Sequence, residues 1–282
     1  MDAAEKYLKV MFDVVRQAGR VSLEMIEESK ASLKADDSVV TAADHAVSLI
    51  VRERLDEYVR SGQHILIDEE DPKRLEYRDQ SLLEKMPFVW VLDPVDGTRL
   101  YANRIPLYGV SIGLLKDLKP WLGVVYFPML KELFYCDGTR SFFLTGAFTP
   151  EQKRQEIEAV DAEISSKSLF MLSDHFFKDH DWAYEDCRFL VSACAVVNLC
   201  WPAIGRACGS LDRSNIWDFG GAWPIARSAG LELRHFETGR VFDRLDISAF
   251  EPQEGSWRFA QYHILSSERN FEVLRRYMRK KS

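Results

Sequence analysis

The chain has 282 residues, of which 46% are hydrophobic and 12% aromatic, so it can bury a large core, and extended disorder is excluded. At ~150 residues per domain, this length corresponds to about two domain-sized units. The 37 basic and 44 acidic residues give a formal net charge of −7, which argues against non-specific nucleic-acid binding because that requires a basic surface. A small anionic substrate remains compatible with this charge, since a bound metal ion reverses the local field.

The start of the chain and its cysteines predict a cytoplasmic protein with no membrane partner. Residues 1–8 (MDAAEKYL) lack the apolar run of a secretory signal. The longest near-apolar stretch, 193–204, is interrupted by Asn198 and Pro202 and is shorter than the roughly 20 residues that span a bilayer. The five cysteines include no CxxC motif, so we expect free thiols in a reducing compartment rather than a disulfide or zinc framework.

Apolar patterning predicts a protein in which helices and strands intermix. Helical spacing of apolar residues predicts helices over 8–26 and 42–59, and further helices are expected from Ala193 and from Ser267. Short apolar runs predict strands over 64–67, 88–92, 108–115, 121–127, 133–135, 142–144, 169–172, 188–191, 231–236 and 263–265. This mixture is typical of an α/β or α+β layered fold.

A polar stretch near the middle of the chain predicts how the lobes divide. Residues 149–167 (TPEQKRQEIEAVDAEISSK) are expected to form a boundary or a surface helix. The chain would then consist of an N-terminal α+β lobe over 1–148 with most of the candidate metal ligands, a polar connection over 149–167, and a C-terminal α/β lobe over 168–282 with Asp218. The helix after Asp218 is expected to be kinked at Pro224, because proline removes one helical hydrogen bond.

The densest chemical signal is the sequence Asp93-Pro94-Val95-Asp96-Gly97-Thr98, directly after the predicted strand over 88–92. The strand delivers Asp93 at its carboxyl end, where ligands bind in layered α/β proteins, and Asp96 follows three residues later. Two converging carboxylates beside the free N–H groups of a turn favour an anion held through a metal ion. Oxygen-only ligands favour Mg²⁺, with Mn²⁺ or Ca²⁺ as alternatives. A capped turn is the other interpretation, since Asp is an ordinary N-cap and Gly an ordinary turn residue.

Three further segments carry acids at the ends of predicted elements. The run DEED at 68–71 ends an apolar strand, although such a run is also typical of a solvated turn. Asp218 lies at the start of a helix between two aromatic residues, where simple helix capping is the alternative. Thr41 and Asp44 have the spacing of a capping box, with Asp in place of Glu.

Taken together, these four segments resemble the inositol monophosphatase family of metal-dependent, lithium-sensitive phosphatases. The resemblance rests on VTAAD at 40–44, EE at 69–70, DPVDGT at 93–98 and WD at 217–218, in the order and spacing of the family over residues 38–230. It implies an αβαβα layered sandwich of the inositol monophosphatase and fructose-1,6-bisphosphatase type, usually a homodimer. It also implies hydrolysis of a phosphate monoester of a small polyol, sugar or nucleotide by metal-activated water.

The resemblance also implies a role for each matching residue. Ligands for two or three Mg²⁺ ions are implied at Glu69, Asp93, the carbonyl of Val95, Asp96 and Asp218. The implied catalytic residues are Asp44 and Thr98, which orient the attacking water, together with Glu69. The implied substrate contacts are the N–H groups of Gly97 and Thr98, which cradle the phosphate, and Asp218.

Elementary electrostatics supports a metal at such a cluster. Four carboxylates within ~5 Å of one another form six repelling pairs, each about 3 kcal/mol at an effective dielectric near 20. Their sum approaches ~20 kcal/mol, which exceeds a typical net stability of ~5–15 kcal/mol. Without cations, the carboxylates would have to take up protons or move apart.

Four positions bear on the substrate. Arg99 follows DGT where family members commonly have Asn, and it is either a bidentate phosphate donor or a surface residue. Leu211 stands where inositol-specific members carry a Glu, which puts inositol specificity in doubt, and Asp212 is the nearest acid. Ser192, in an altered segment before the apolar helix, is a candidate pocket residue.

Several functions remain open from the sequence. Inositol monophosphate is the default substrate of a phosphatase in this family. Short similarities at 34–38 and 69–72 favour a 3′-phosphoadenosine 5′-phosphate nucleotidase, and DGTR also occurs in members that act on histidinol phosphate. Two alternatives of a different class are a catalytically inactive scaffold that binds inositol phosphates and an unrelated metal-binding structural protein. The complete set of candidate acids argues against the inactive scaffold.

Overall fold

The computed structural model of the chain describes residues 3–28, 30, 32–33, 39–161, 163–173, 175–183, 187–253 and 256–281. Within these ranges the α-helices are α1 (Ala3–Met25), α2 (Ala42–Arg60), α3 (Gln80–Leu83), α4 (Thr98–Ala102), α5 (Phe176–Asp179), α6 (Ala195–Ala203), α7 (Ile216–Gly220), α8 (Trp223–Ser228) and α9 (Glu268–Tyr277). The first eight strands are β1 (Ser32–Leu33), β2 (Val39–Val40), β3 (His64–Asp68), β4 (Phe88–Asp96), β5 (Gly109–Lys116), β6 (Lys119–Phe127), β7 (Glu132–Cys136) and β8 (Ser141–Thr145). The remaining strands are β9 (Lys153–Glu156), β10 (Leu169–Leu172), β11 (His180–Trp182), β12 (Arg188–Val191), β13 (Ser210–Asp212), β14 (Glu232–His235), β15 (His263–Ser266) and β16 (Met278–Lys280).

Two large sheets organise the described part of the chain. A seven-stranded sheet runs in sequence order from β3 to β9, with β3 and β4 parallel and the other neighbours antiparallel. A five-stranded sheet has the order β12-β10-β13-β15-β14, in which β10 lies parallel to both β12 and β13. Two short sheets pair β1 with β2 and β11 with β16.

The sheets and helices form five layers. Helices α1 and α2 pack against one face of the seven-stranded sheet, while α7 and α8 pack against its other face. Helix α6 contacts both α8 and β13, and α9 covers the five-stranded sheet through β15. The arrangement is therefore the predicted αβαβα sandwich. Among the described residues, no helix is both long and apolar enough to cross a membrane.

Strand β4 is buried on both faces, as its continuous apolar run predicts. Trp90 and Leu92 pack in the core beneath α1 and α2, while Val89 and Val91 pack in the core beneath α7 and α8. Close backbone packing holds α7 against the sheet, since a Cβ atom added at Gly113 would collide with the backbone of α7. The carboxyl end of β4 is consequently fixed between two layers of helices.

Two predictions from the sequence are wrong. Of the two alternatives for 149–167, a boundary or a surface helix, the surface helix is contradicted over Lys153–Glu156, which form the exposed edge strand β9. All four side chains of β9 are polar, and charged or polar side chains protect an edge strand from pairing with another chain. Because β9 has no apolar residues, a search for apolar alternation does not detect it. Pro224 does not kink a helix. It lies in the first turn of a separate helix, α8, where the missing N–H costs no hydrogen bond.

Candidate active site

The candidate site forms where β4 ends. The N–H of Val95 donates a hydrogen bond of 3.0 Å to Oδ1 of Asp93, and the pairing of β4 with β5 shifts register between Asp93 and Asp96. Gly97 follows with a φ of +84°, a left-handed conformation that favours glycine. The bent strand end thereby directs two acids of one strand toward the start of α7.

Three carboxylates converge at this point. One carboxylate oxygen from each of Asp93, Asp96 and Asp218 lies within 4.8 Å of the other two, and Asp93 and Asp96 are buried. Burial raises the pKa of Asp93 well above its ordinary value, and the charges of Glu69, Asp96 and Asp218 raise it further. Burial and the charges of Asp96 and Glu69 likewise raise the pKa of Asp218 well above its ordinary value. A set of hard oxygen donors held together against their repulsion fits a divalent cation such as Mg²⁺.

Strand β3 positions the candidate ligand Glu69 beside β4. The N–H of Glu69 donates a hydrogen bond of 3.2 Å to the carbonyl of Leu92, which continues the parallel pairing beyond the end of β3. Sequence analysis named Asp68 only as part of the acidic run at 68–71. Its side chain is buried and accepts a hydrogen bond from the hydroxyl of Ser48. Its Oδ1 accepts a hydrogen bond of 3.0 Å from the N–H of Glu70, and burial raises its pKa to about 6. Asp68 therefore shapes the turn that presents Glu69.

The carboxylate of Asp96 is held from a distant part of the chain. The thiol of Cys194 donates to Oδ2 at 2.9 Å, the N–H of Val196 donates to the same oxygen at 2.7 Å, and the N–H of Ala195 donates to Oδ1 at 3.1 Å. Helix α6 starts at Ala195 rather than at the predicted Ala193, because Ala193 adopts a left-handed φ of 53°. The sequence did not predict these hydrogen bonds to Asp96. The only sequence signal for them was the run of small residues before α6.

Thr98 and Asp44 are brought together as the family resemblance implies. The hydroxyl of Thr98 lies 3.3 Å from Oδ1 of Asp44 and 2.9 Å from the carbonyl oxygen of Val95. Oδ2 of Asp44 accepts hydrogen bonds from the N–H and the hydroxyl of Thr41, at 2.8 and 2.6 Å. The predicted capping box at the start of α2 is confirmed, and it leaves one oxygen of Asp44 directed at Thr98.

The C-terminal half contributes Asp218 and, close by, Asp212. The N–H of Asn215 donates to Oδ2 of Asp218 at 2.7 Å, so Asp218 caps α7 as well as facing the cluster. Asp212 is buried and accepts hydrogen bonds of 2.7 and 2.9 Å from the hydroxyl of Ser214. Burial raises the pKa of Asp212 to about 6, with a contribution from the charge of Asp96. Leu211 packs into the core around α9.

The other candidate substrate residues differ in exposure. Arg99 is exposed on α4. Ser192 is buried, and its hydroxyl lies 2.6 Å from Oδ1 of Asn198 and 3.2 Å from the N–H of Cys194, so it fixes the loop before α6. A Cβ atom at Gly97 would lie 3.3 Å from Sγ of Cys194, so the two loops pack tightly there. Residues 34–38, one basis for the nucleotidase alternative, lie outside the described ranges.

Comparison with known proteins identifies the family of the chain. The model of the inositol monophosphatase family matches residues 3–270. The chain is 29% identical over 229 residues to inositol monophosphatase 2 of Solanum lycopersicum, covering 80% of this chain and 83% of that protein. It is 34% identical over 132 residues to the 3′(2′),5′-bisphosphate nucleotidase CysQ of Salmonella typhimurium, covering 46% and 51%. The solved structure of the Thermotoga maritima IMPase has the same fold, with a TM-score of 0.73 at 17% identity and 96% of each chain covered.

The family match over residues 3–270 and the full-length relatives identify the chain as a metal-dependent phosphomonoester hydrolase, and Asp93, Asp96 and Asp218 offer a carboxylate ligand set for the metal. The chain belongs to the inositol monophosphatase family, which confirms the resemblance drawn from the sequence.

Proposed function

We propose that this phosphatase is Mg²⁺-dependent and removes phosphate from a small polyol, sugar or nucleotide, with inositol monophosphate as the default substrate. The observation that carries the proposal is the convergence of Asp93, Asp96 and Asp218 within 4.8 Å. Glu69 and the carbonyl of Val95 complete the proposed ligand set, which holds two or three Mg²⁺ ions, with Mn²⁺ as a substitute. Bound there, the cations would lower the pKa of water and neutralise charge on the phosphate and the leaving alkoxide.

The protein's own residues position the attacking water in this proposal. Asp44, held by Thr41, and the carbonyl of Val95 together orient the hydroxyl of Thr98, over contacts of 3.3 and 2.9 Å. The lone pair of Thr98 Oγ1 then accepts a hydrogen bond from the water and aligns its oxygen with the phosphorus. Such positioning converts a bimolecular step into an effectively intramolecular one. Glu69 is proposed to take part as a second acceptor for this water.

The phosphate is proposed to lie against the turn that follows β4. The N–H groups of Gly97 and Thr98 would donate to its oxygens, and the exposed Arg99 would add a bidentate contact once substrate is bound. Asp218 and Asp212 would face the alcohol side of the ester. Ser192 would contribute indirectly, by stabilising the loop before α6.

A second substrate deserves a direct test. Leu211 packs in the core, so the position where inositol-specific members carry a Glu offers no hydrogen bond to a substrate hydroxyl. The similarity to CysQ at 34% identity supports 3′-phosphoadenosine 5′-phosphate as the second candidate. Histidinol phosphate is the third candidate, because DGTR at 96–99 also occurs in family members that act on it.

The test is phosphate release from inositol monophosphate, 3′-phosphoadenosine 5′-phosphate, histidinol phosphate and a sugar bisphosphate, compared by kcat/KM. Each substrate is assayed with Mg²⁺, with Mg²⁺ plus Li⁺, and with EDTA. We expect metal-dependent, lithium-sensitive turnover of one substrate at least tenfold above the others. Binding of inositol phosphate without turnover would instead favour the inactive scaffold. Stabilisation by Mg²⁺ or Ca²⁺ without any phosphate release would favour a structural metal site.

We also propose that the protein works in the cytoplasm as a homodimer. This rests on the family resemblance and on the cysteines, all of which are free thiols. Light scattering coupled to size-exclusion chromatography tests the dimer, since a monomeric mass at micromolar concentration would contradict it.

A further inference from the structure

Two cysteines outside the candidate active site lie close together at one end of the five-stranded sheet. Cys187 directly precedes β12, and Cys208 lies just before β13. Because β12 and β13 both run parallel to β10 and flank it, the cysteines meet beside the start of β10. Their Sγ atoms are 3.8 Å apart, although the residues are 21 positions apart in the sequence.

Backbone hydrogen bonds to β10 hold both cysteines in place. The N–H of Cys208 donates to the carbonyl of Leu169 at 2.8 Å, and the N–H of Arg188, next to Cys187, donates to the carbonyl of Ser168 at 3.1 Å. The indole N–H of Trp182 donates to the carbonyl of Cys187 at 3.3 Å. The sheet therefore fixes the backbone of both cysteines at positions from which their side chains meet.

The geometry requires only a small movement for a bond to form. A disulfide has an S–S distance of ~2.05 Å, so the sulfurs, now 3.8 Å apart, must approach by roughly 1.8 Å. Cys187 is buried, whereas Cys208 is half-buried, so a small reagent in solvent reaches Cys208 first. The other three cysteines, Cys136, Cys194 and Cys200, are all buried.

We propose that Cys187 and Cys208 form a reversible intramolecular disulfide, which makes this pair a redox-modification site. The oxidant is a low-molecular-weight disulfide such as oxidised glutathione. Cys208 loses its proton to solvent, its thiolate attacks one sulfur of glutathione disulfide, and one glutathione thiolate leaves. Cys187 then loses its proton, attacks Sγ of Cys208 and releases the second glutathione thiolate. Two protein thiols are thereby oxidised to one disulfide, and one glutathione disulfide is reduced to two thiols.

The bridge would close a loop that contains part of the active site. Residues 187–208 include β12 and α6, and the N–H groups at the start of α6 hold Asp96. A crosslink reduces the freedom of this loop in the unfolded chain, so it stabilises the folded protein. This inference is independent of the proposed substrate, because neither cysteine contacts the carboxylate cluster.

The experiment treats the full-length reduced protein with oxidised glutathione, blocks remaining thiols, and maps peptides without reduction. We expect a mass loss of two hydrogen atoms, a peptide joining Cys187 to Cys208, reversal by dithiothreitol, and a rise in Tm of roughly 5 °C. A lasting glutathione adduct on Cys208, a bridge to another cysteine, or no reaction would overturn the proposal. An unchanged Tm in bridged protein would overturn the stabilising effect.

Two variants separate the pair from other thiols. Cys187→Ser should stop the reaction at the mixed disulfide, so that Cys208 keeps one glutathionyl group. Cys136→Ser is the matched control, because Cys136 is buried in β7 and its loss should leave the bridge intact. A bridge that persists in Cys187→Ser would also contradict the assignment.

Discussion

The thiol of Cys194 donates a hydrogen bond of 2.9 Å to a carboxylate oxygen of Asp96, a candidate metal ligand 98 positions earlier in the chain. Both residues are buried. Burial and the charge of Asp96 raise the pKa of the Cys194 thiol well above its ordinary value, so the thiol keeps its proton and can donate. Cys194 thereby acts as a positioning residue that fixes the orientation of Asp96.

We expect Cys194→Ala to weaken Mg²⁺ binding about 10-fold or more, because Asp96 loses one of three donors that orient it. Calorimetric titration of the metal-free protein measures this without relying on activity. Cys194→Ser keeps a hydroxyl donor and should retain most of the affinity. Cys200→Ala is the control, since it removes an equally buried thiol from α6, the helix that Cys194 directly precedes. Equal Mg²⁺ affinities for wild type and Cys194→Ala would contradict the positioning role.

Thr98 is expected to be required for turnover. Thr98→Ala removes the hydroxyl that lies 3.3 Å from Asp44, and we expect kcat to fall on the order of 100-fold or more, with a smaller change in KM. Thr98→Ser should restore most of kcat because it restores the hydroxyl. Thr139→Ala removes a hydroxyl-to-carboxylate bond in an exposed turn and should leave kcat unchanged. If Thr98→Ala turned over like the wild type, the water-positioning account would fail.

The stabilising effect of metal is expected to grow as pH rises. The pKa values of Asp93 and Asp218 are raised by burial and neighbouring carboxylates. A carboxyl group with a raised pKa in the folded state stabilises the fold only while it is protonated, so stability is lost as pH rises through that pKa. Cations relieve this repulsion only when the groups are ionised. We therefore expect the Tm difference between Mg²⁺ and EDTA samples to increase between about pH 5 and pH 8, and a constant difference would contradict the cluster.

His263 is expected to contribute to unfolding in acid. It is buried against Phe259, and burial, with the charge of His235, lowers its pKa to about 3. A histidine with a depressed pKa stabilises the fold fully above the ordinary pKa of 6.5, and this contribution falls as pH drops toward 3. Between pH 7 and pH 5 the wild type should lose about 2 kcal/mol more than His263→Phe.

Chemical denaturation at several pH values measures this difference. Parallel curves for wild type and His263→Phe would show that His263 does not contribute.

Local chemistry explains why much of the site was predictable. The capping box at Thr41 and Asp44 and the acids after β3 and β4 are determined by residues within one or two turns of each other. The apolar runs of β3 and β4 also indicated buried strands that end in carboxylates. The order and spacing typical of the family then indicated that these segments belong to one site. Hydrophobic periodicity alone does not indicate this.

The contacts that were missed are long-range or involve ordinary residues. The bond from Cys194 to Asp96 and the contact between Cys187 and Cys208 depend on how α6, β12 and β13 pack. Strand β9 was missed because a polar edge strand lacks the apolar alternation of a buried one. The role of Pro224 was misjudged since its consequence depends on where the helix begins.

The most direct test of the account is phosphate release after metal removal, for wild type and Asp93→Asn side by side. Asp93→Asn is expected to fold, because it removes a buried charge that repels four neighbouring carboxylates. EDTA should abolish turnover by the wild type, Mg²⁺ should restore it, and Asp93→Asn should remain orders of magnitude slower at saturating Mg²⁺. Near-normal phosphate release by folded Asp93→Asn, or turnover that persists in EDTA, would contradict the metal-dependent site.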